Sequence, residues 1–137
     1  MSPTTKVKDH IERKKAGLHA LLLNWAGHLE REAKLGASWR DRTAHARQSL
    51  HSGVDRSGDS ILLLYLSHGV EYGIFLEEGT PPHIIKPKNK KALYWPGARH
   101  PVKQVRHPGS RPYAIVGPTL EKSLPKIKKS VLDWWTK

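Results

Sequence analysis

Residues 72–93 read YGIFLEEGTPPHIIKPKNKKAL, and the chemistry of this stretch reverses across its Gly79-Thr80-Pro81-Pro82 turn. Ahead of the turn stand aromatic and apolar residues with the acids Glu77 and Glu78; behind it Ile84 and Ile85 run into a block of lysines. No Asp or Glu follows until Glu121. Lys86, Lys88, Lys90, Lys91, Arg99, Lys103, Arg106 and Arg111 fall in that gap, and these eight cations supply most of the formal charge of +12. Gly79 and the diproline end whatever element precedes them, so residues 72–78 form a single helical turn or a second extended segment. Ile84 and Ile85 then open a strand, Lys88-Asn89-Lys90 reads as a solvated turn, and apolar character resumes over residues 92–95. Pro96-Gly97 and Pro108-Gly109 mark turns on either side of a strand over residues 102–106. The sum is a small antiparallel sheet with exposed edges.

Upstream, residues 60–67, SILLLYLS, have strand length and turn residues at both ends. They read best as a strand buried on both faces, with a buried helix as the alternative. Gly53 and Ser57-Gly58-Asp59 read as a turn before it. Ile11, Leu18, Leu22, Trp25 and Leu29 recur at spacings of seven, four, three and four, the stripe of an amphipathic helix. A helix from about residue 8 to 35 follows, after a flexible polar lead over residues 1–7, with Gly36 as its stop. Gly17 and Gly27 each cost that helix about 1 kcal/mol relative to alanine. Ser38 is placed to cap a second helix from residue 40 to about 51, with Asp41 in its first turn. Downstream, Pro118 suits a first helical turn, and Leu120, Leu124, Ile127, Val131 and Trp134 repeat at helical spacing. Pro125 should break or kink this last helix. The expected architecture is α+β, a single domain over residues 1–137, in which a small antiparallel sheet packs against a long N-terminal helix and a C-terminal helix.

Composition narrows the function. No window approaches the roughly 18 apolar residues of a membrane span, so no membrane partner is expected. The N-terminal residues MSPTTKVKDH lack the apolar core of a secretory signal, which implies synthesis in a cytoplasm. The absence of cysteine removes disulfides, thiolate metal sites and thiol nucleophiles together. A strong basic excess attracts polyanions, whether nucleic acid, an anionic membrane surface or an acidic protein face.

Catalytic and metal chemistry find little support. The nine histidines show no paired zinc-binding spacing; His83, His100 and His107 stand beside prolines, where solvated loop histidines explain them better than a three-histidine site. Glu77 and Glu78 are adjacent, so they diverge in a strand and in a helix alike and make no natural acid–base pair. No serine elbow, P-loop or dinucleotide glycine pattern is present. Neither an enzyme nor a cofactor is expected. Tyr94 and Trp95, interleaved with the cations, can stack on bases, although no nucleic-acid-binding motif accompanies them.

Five pieces in one order carry a resemblance. They are W-x-D-x-T-x-x-A-R-x-S-L from Trp39, Y-G-x-F-L-E-x-G-T from Tyr72, I-x-P-K-x-x-K-A-L from Ile85, V-K-x-x-x-H-P-G from Val102 and R-P-Y from Arg111. Together they resemble the small neck or tail-component proteins of long-tailed bacteriophages. The resemblance implies a non-enzymatic virion protein, made in the host cytoplasm and carried in the neck or tail, that acts in head–tail joining or tail completion. It also implies a compact α+β fold and a ring around the DNA channel, a hexamer being favoured over a dodecamer, in contact with neighbouring neck or tail proteins. Tyr72, Gly73, Phe75, Leu76, Glu77, Gly79 and Thr80 match the central motif, with Trp39, Tyr72, Phe75 and Leu76 as its core; Pro87, Lys88, Ala92 and Leu93 match the strand after it. Pro125 and Trp134-Trp135 fit no family pattern.

A ring subunit joins its neighbours through two different faces. Glu77 and Glu78, with Thr80, are the expected acidic half; Lys86, Lys88, Lys90 and Lys91 are the cationic half. Lys88, Lys90, Lys91, Arg99, Lys103 and Arg106 are the expected DNA-facing residues, through contacts blind to sequence. The competing expectation is a standalone basic nucleic-acid-binding module.

Overall fold

The computed structural model describes residues 2–41 and 44–137. Helix α1 runs Pro3–Gly36. Its start is set by a cap rather than by the apolar stripe: the Ser2 hydroxyl accepts the Thr5 N–H at 3.3 Å, and Pro3 needs no N–H partner in the first turn. The polar lead is therefore helical, and residues 2–13 are exposed along its length. Gly36 is the last helical residue and not a left-handed stop; the turn closes when the N–H of Ala37, in extended conformation, bonds the Ala33 carbonyl at 3.0 Å.

The second helix is much shorter than the sequence implies. Helix α2 spans only His45–Ser49, and its N-cap position is Ala44 in the left-handed region at φ 60° in place of Ser38; the part of the expected helix at residues 42 and 43 lies outside the described residues. The left-handed Ala44 sets the late start of α2, and Arg47 holds the segment ahead of it. Its guanidinium donates to the carbonyls of Lys34, Ala37 and Trp39 and pairs with Asp41 at 2.8 Å. It thus gathers the carbonyls of α1's end and of the segment that follows.

Strands β1, His51–Ser57, and β2, Ile61–Ser67, form an antiparallel hairpin in register from His51↔Ser67 to Ser57↔Ile61. Gly53 belongs to β1 and not to a turn. It faces Tyr65, whose hydroxyl would stand 2.6 Å from a Cβ at that position. β2 is covered on one face only: Leu66 is buried and Leu62 and Leu64 pack on the core, while Ile61 and Leu63 are exposed. One layer of helices lies on this hairpin, so the run alternates at period two despite its continuous apolar sequence.

Helix α3, Gly73–Glu78, leads into β3, His83–Ile85, which pairs antiparallel with β4, Val105–His107. Val102 lies before β4 and bridges to Leu93. The expected single sheet is thus two separate two-stranded ribbons. Helix α4, Val116–Trp135, runs through Pro125 without interruption. Pro125 and Glu121 are both exposed, so water can serve the Glu121 carbonyl that loses its helical partner. The architecture is α+β. Its core joins Leu22, Leu29 and Ala33 of α1 to Trp39, Leu50, Leu66 of β2 and Ile127 of α4. Among the described residues no helix is long and apolar enough to cross a membrane.

Candidate interaction site: a cationic arm and its root

Glu77, in the last turn of α3, is the fastening point between α3 and α4. Its carboxylate accepts the N–H groups of Ile115 at 2.9 Å, Val116 at 3.2 Å and Gly117 at 3.0 Å. These donors open α4 and have no intrahelical acceptor, and a negative charge there complements the helix dipole. His68 Nε2 adds a contact at 3.2 Å. Burial pushes the Glu77 carboxyl up, but the N–H bonds from Ile115 and Gly117 and the neighbouring His68 outweigh it, and the net displacement is downward from 4.5.

The next residues turn the chain outward. Gly79 has φ 76° and ψ −179°, a region that glycine alone enters readily, and a Cβ there would lie 2.6 Å from the Ser110 carbonyl. Gly109, at φ 82°, packs against Thr80 and Pro81 in the same manner. Between the two glycines, Thr80 and Ser110 exchange backbone hydrogen bonds of 3.0 Å and their hydroxyls meet at 3.0 Å. The Tyr113 N–H then bonds the Leu76 carbonyl at 2.7 Å. The motif residues Leu76, Glu77, Gly79, Thr80, Gly109 and Tyr113 therefore build one joint.

From that joint residues 81–112 leave the body, and none of them belongs to the core. The ladder continues through His83↔His107, whose rings stack at 4.9 Å, to Ile85↔Val105, and the Leu93↔Val102 bridge lies further out. Lys86, Lys88, Lys90, Lys91, Arg99, Lys103 and Arg106 are all exposed on this arm. Among the described residues none of these seven holds an ion pair. Arg111 lies 5.0 Å over the Tyr113 ring at the root. Tyr94 and Trp95 are 68% and 45% exposed. The arm offers long-range attraction for an anionic surface together with apolar faces to bury against it.

The expected site residues separate accordingly. The four lysines of the cationic half lie together on the arm, and Thr80 lies in its root. Glu77 is turned inward onto α4, while Glu78 is exposed, so the two adjacent acids form no common patch. Tyr72 and Phe75 were expected in the core and are 47% and 56% exposed. α3 is too short to bury more than one side: Gly73 is buried and Leu76 packs on the core, which leaves Tyr72 and Phe75 outside. Trp39 is buried. Sequence reasoning missed His68, Ser110 and the pairing of the two glycines; the G-T and H-P-G-S pieces, each with glycine beside a hydroxyl residue, were the available clue. Among the described residues no group of three or more His, Asp or Glu side chains is placed to hold a metal. No family model, curated protein or solved structure matches this chain at a significant level.

Proposed function

We propose that this chain is a structural, non-catalytic subunit of the neck or tail of a long-tailed bacteriophage, acting in head–tail joining or tail completion as one member of a ring around the DNA channel. The supporting observation is where the motif residues fall. Some of the residues that carry the resemblance, Glu77, Gly79, Thr80, Gly109 and Tyr113, build the joint, and an arm of exposed cations extends from it. A hexamer is the favoured ring, assembled in the host cytoplasm onto neighbouring neck or tail proteins. Mass spectrometry of purified particles tests this reading: the protein should be present in a fixed stoichiometry with the other neck components, and its absence from finished particles overturns the proposal.

A second reading, a standalone basic module for nucleic acid, has its own observation in Tyr94 and Trp95, exposed among seven cations. It predicts tight binding of the isolated protein to DNA of any sequence. Replacing Lys88, Lys90 and Lys91 with alanine should then flatten the dependence of log K on log salt by about 0.9 per lost phosphate contact. The virion reading predicts little affinity for free DNA.

A further inference from the structure

The layer between α1, β2 and α4 is open at one end. Leu18 and Leu23 of α1, Ile61 of β2, and Leu120 and Leu124 of α4 border a groove of about 880 Å³. Leu23, Ile61 and Leu124 are each about half exposed, so a lone subunit leaves a contiguous apolar surface in water, and surfaces of this kind mark interaction sites. Three of the chain's twelve acids line this groove. Glu12, Asp59 and Glu121 line it against Lys15 and Arg56, with His19 as the other ionisable side chain. Lys15 is matched by Glu12 at 3.6 Å, while Asp59 and Glu121 hold no ion pair among the described residues. On a protein of charge +12, a rim with more acids than bases is the exception.

The arm is the converse surface: cations without a carboxylate, beside exposed Tyr94 and Trp95. We infer that this groove receives the Tyr94-Trp95 segment of a second copy of the same chain, with Lys90 and Lys91 of the incoming arm meeting Asp59 and Glu121. The inference rests on the assembly reading above and gives it a contact. Aromatic rings supply buried area at small entropic cost, and the charge match fixes their orientation. Donor and acceptor surfaces differ, so an open row keeps one unfilled groove at one end and one free arm at the other. Closure into a ring satisfies both.

The absence of cysteine makes the contact directly testable. A Tyr94→Cys copy mixed with a Leu124→Cys copy, both full length, should form a disulfide heterodimer on mild oxidation, in solution or in assembled particles. Asp59→Lys with Glu121→Lys on the acceptor should reduce the yield to that of a Gln48→Cys control on α2, and Lys90→Glu with Lys91→Glu on the donor should restore it. Yield at the control level in both settings overturns the inference, as does a double-cysteine chain that links only within itself. If the chain is carried in particles but the bond does not form, the contact fails and the assembly reading stands. If the bond forms in solution but the chain is missing from particles, the contact stands and the virion reading falls.

Discussion

The indole of Trp134 occupies the space that any side chain on Gly17 would need. A Cβ at Gly17 would come within 2.7 Å of the ring's Cε2. Around this seat the Trp134 Nε1–H donates to the Lys14 carbonyl at 2.9 Å, and the Lys14 ammonium lies 4.9 Å over the ring while donating to the Trp134 carbonyl at 2.8 Å. The glycine that weakens α1 as a helix is the one that lets α4 close on it.

Gly17→Ala should therefore destabilise the protein. Propensity alone would raise stability by about 1 kcal/mol, but displacing a packed aromatic ring costs about 1–3 kcal/mol, and the second effect should win. Urea unfolding monitored by tryptophan fluorescence checks the sign. A more stable variant would mean that the indole is free to shift.

Glu77→Gln removes the negative charge and half of the acceptor capacity at the start of α4. Hydrogen bonds to a charged group contribute about 1.5–3 kcal/mol, so a loss of about 2 kcal/mol at neutral pH is expected. The folded pKa of Glu77 lies below 4.5. Its stabilising contribution is accordingly complete above that value and disappears as pH falls through the folded pKa. Unfolding measured at pH 7 and near pH 3 should show the gap between native protein and variant closing in acid. A gap independent of pH would show that the charge is immaterial.

Gly79→Ala combines a disfavoured backbone conformation with a clash against the Ser110 carbonyl. The cost is about 1–3 kcal/mol, and it falls on the joint. Hydrogen exchange should accelerate at the Thr80 and Ser110 amides while those of Leu29 in α1 keep their protection. Uniform acceleration would instead make the joint part of the core's cooperative unit.

Pro125→Ala should stabilise α4. Proline inside a helix costs up to about 3 kcal/mol relative to alanine, and Pro125 is exposed. A rise in melting temperature is the expected result; a fall would mean that the proline restricts the unfolded chain by more than it costs the helix.

Much of the scaffold was legible because burial writes periodicity into sequence. The α1 and α4 stripes and the apolar run of β2 all report faces that have something to pack against. β1 was missed because Val54 is its one apolar side chain on the core and its other anchors are polar: the Ser52 hydroxyl donates to the Ala26 carbonyl at 2.6 Å and the Ser52 N–H to Glu30 at 3.0 Å. A strand fixed to a helix through serine and glutamate carries no apolar alternation. The site divides in the same way. Charge alone outlined the arm, since no acid interrupts residues 79–120. Glu77 and Glu78 are indistinguishable as letters, and only the position of α4 makes one a fastener and leaves the other in solvent. The exposure of Tyr72 and Phe75 was hidden for a related reason, since a helix as short as α3 has too few turns for its apolar residues to declare a side.

The ribbon β3–β4 shares no ladder with β1–β2. The hydrogen bonds of the arm can therefore be lost or remade without breaking any rung of the hairpin that covers the helices.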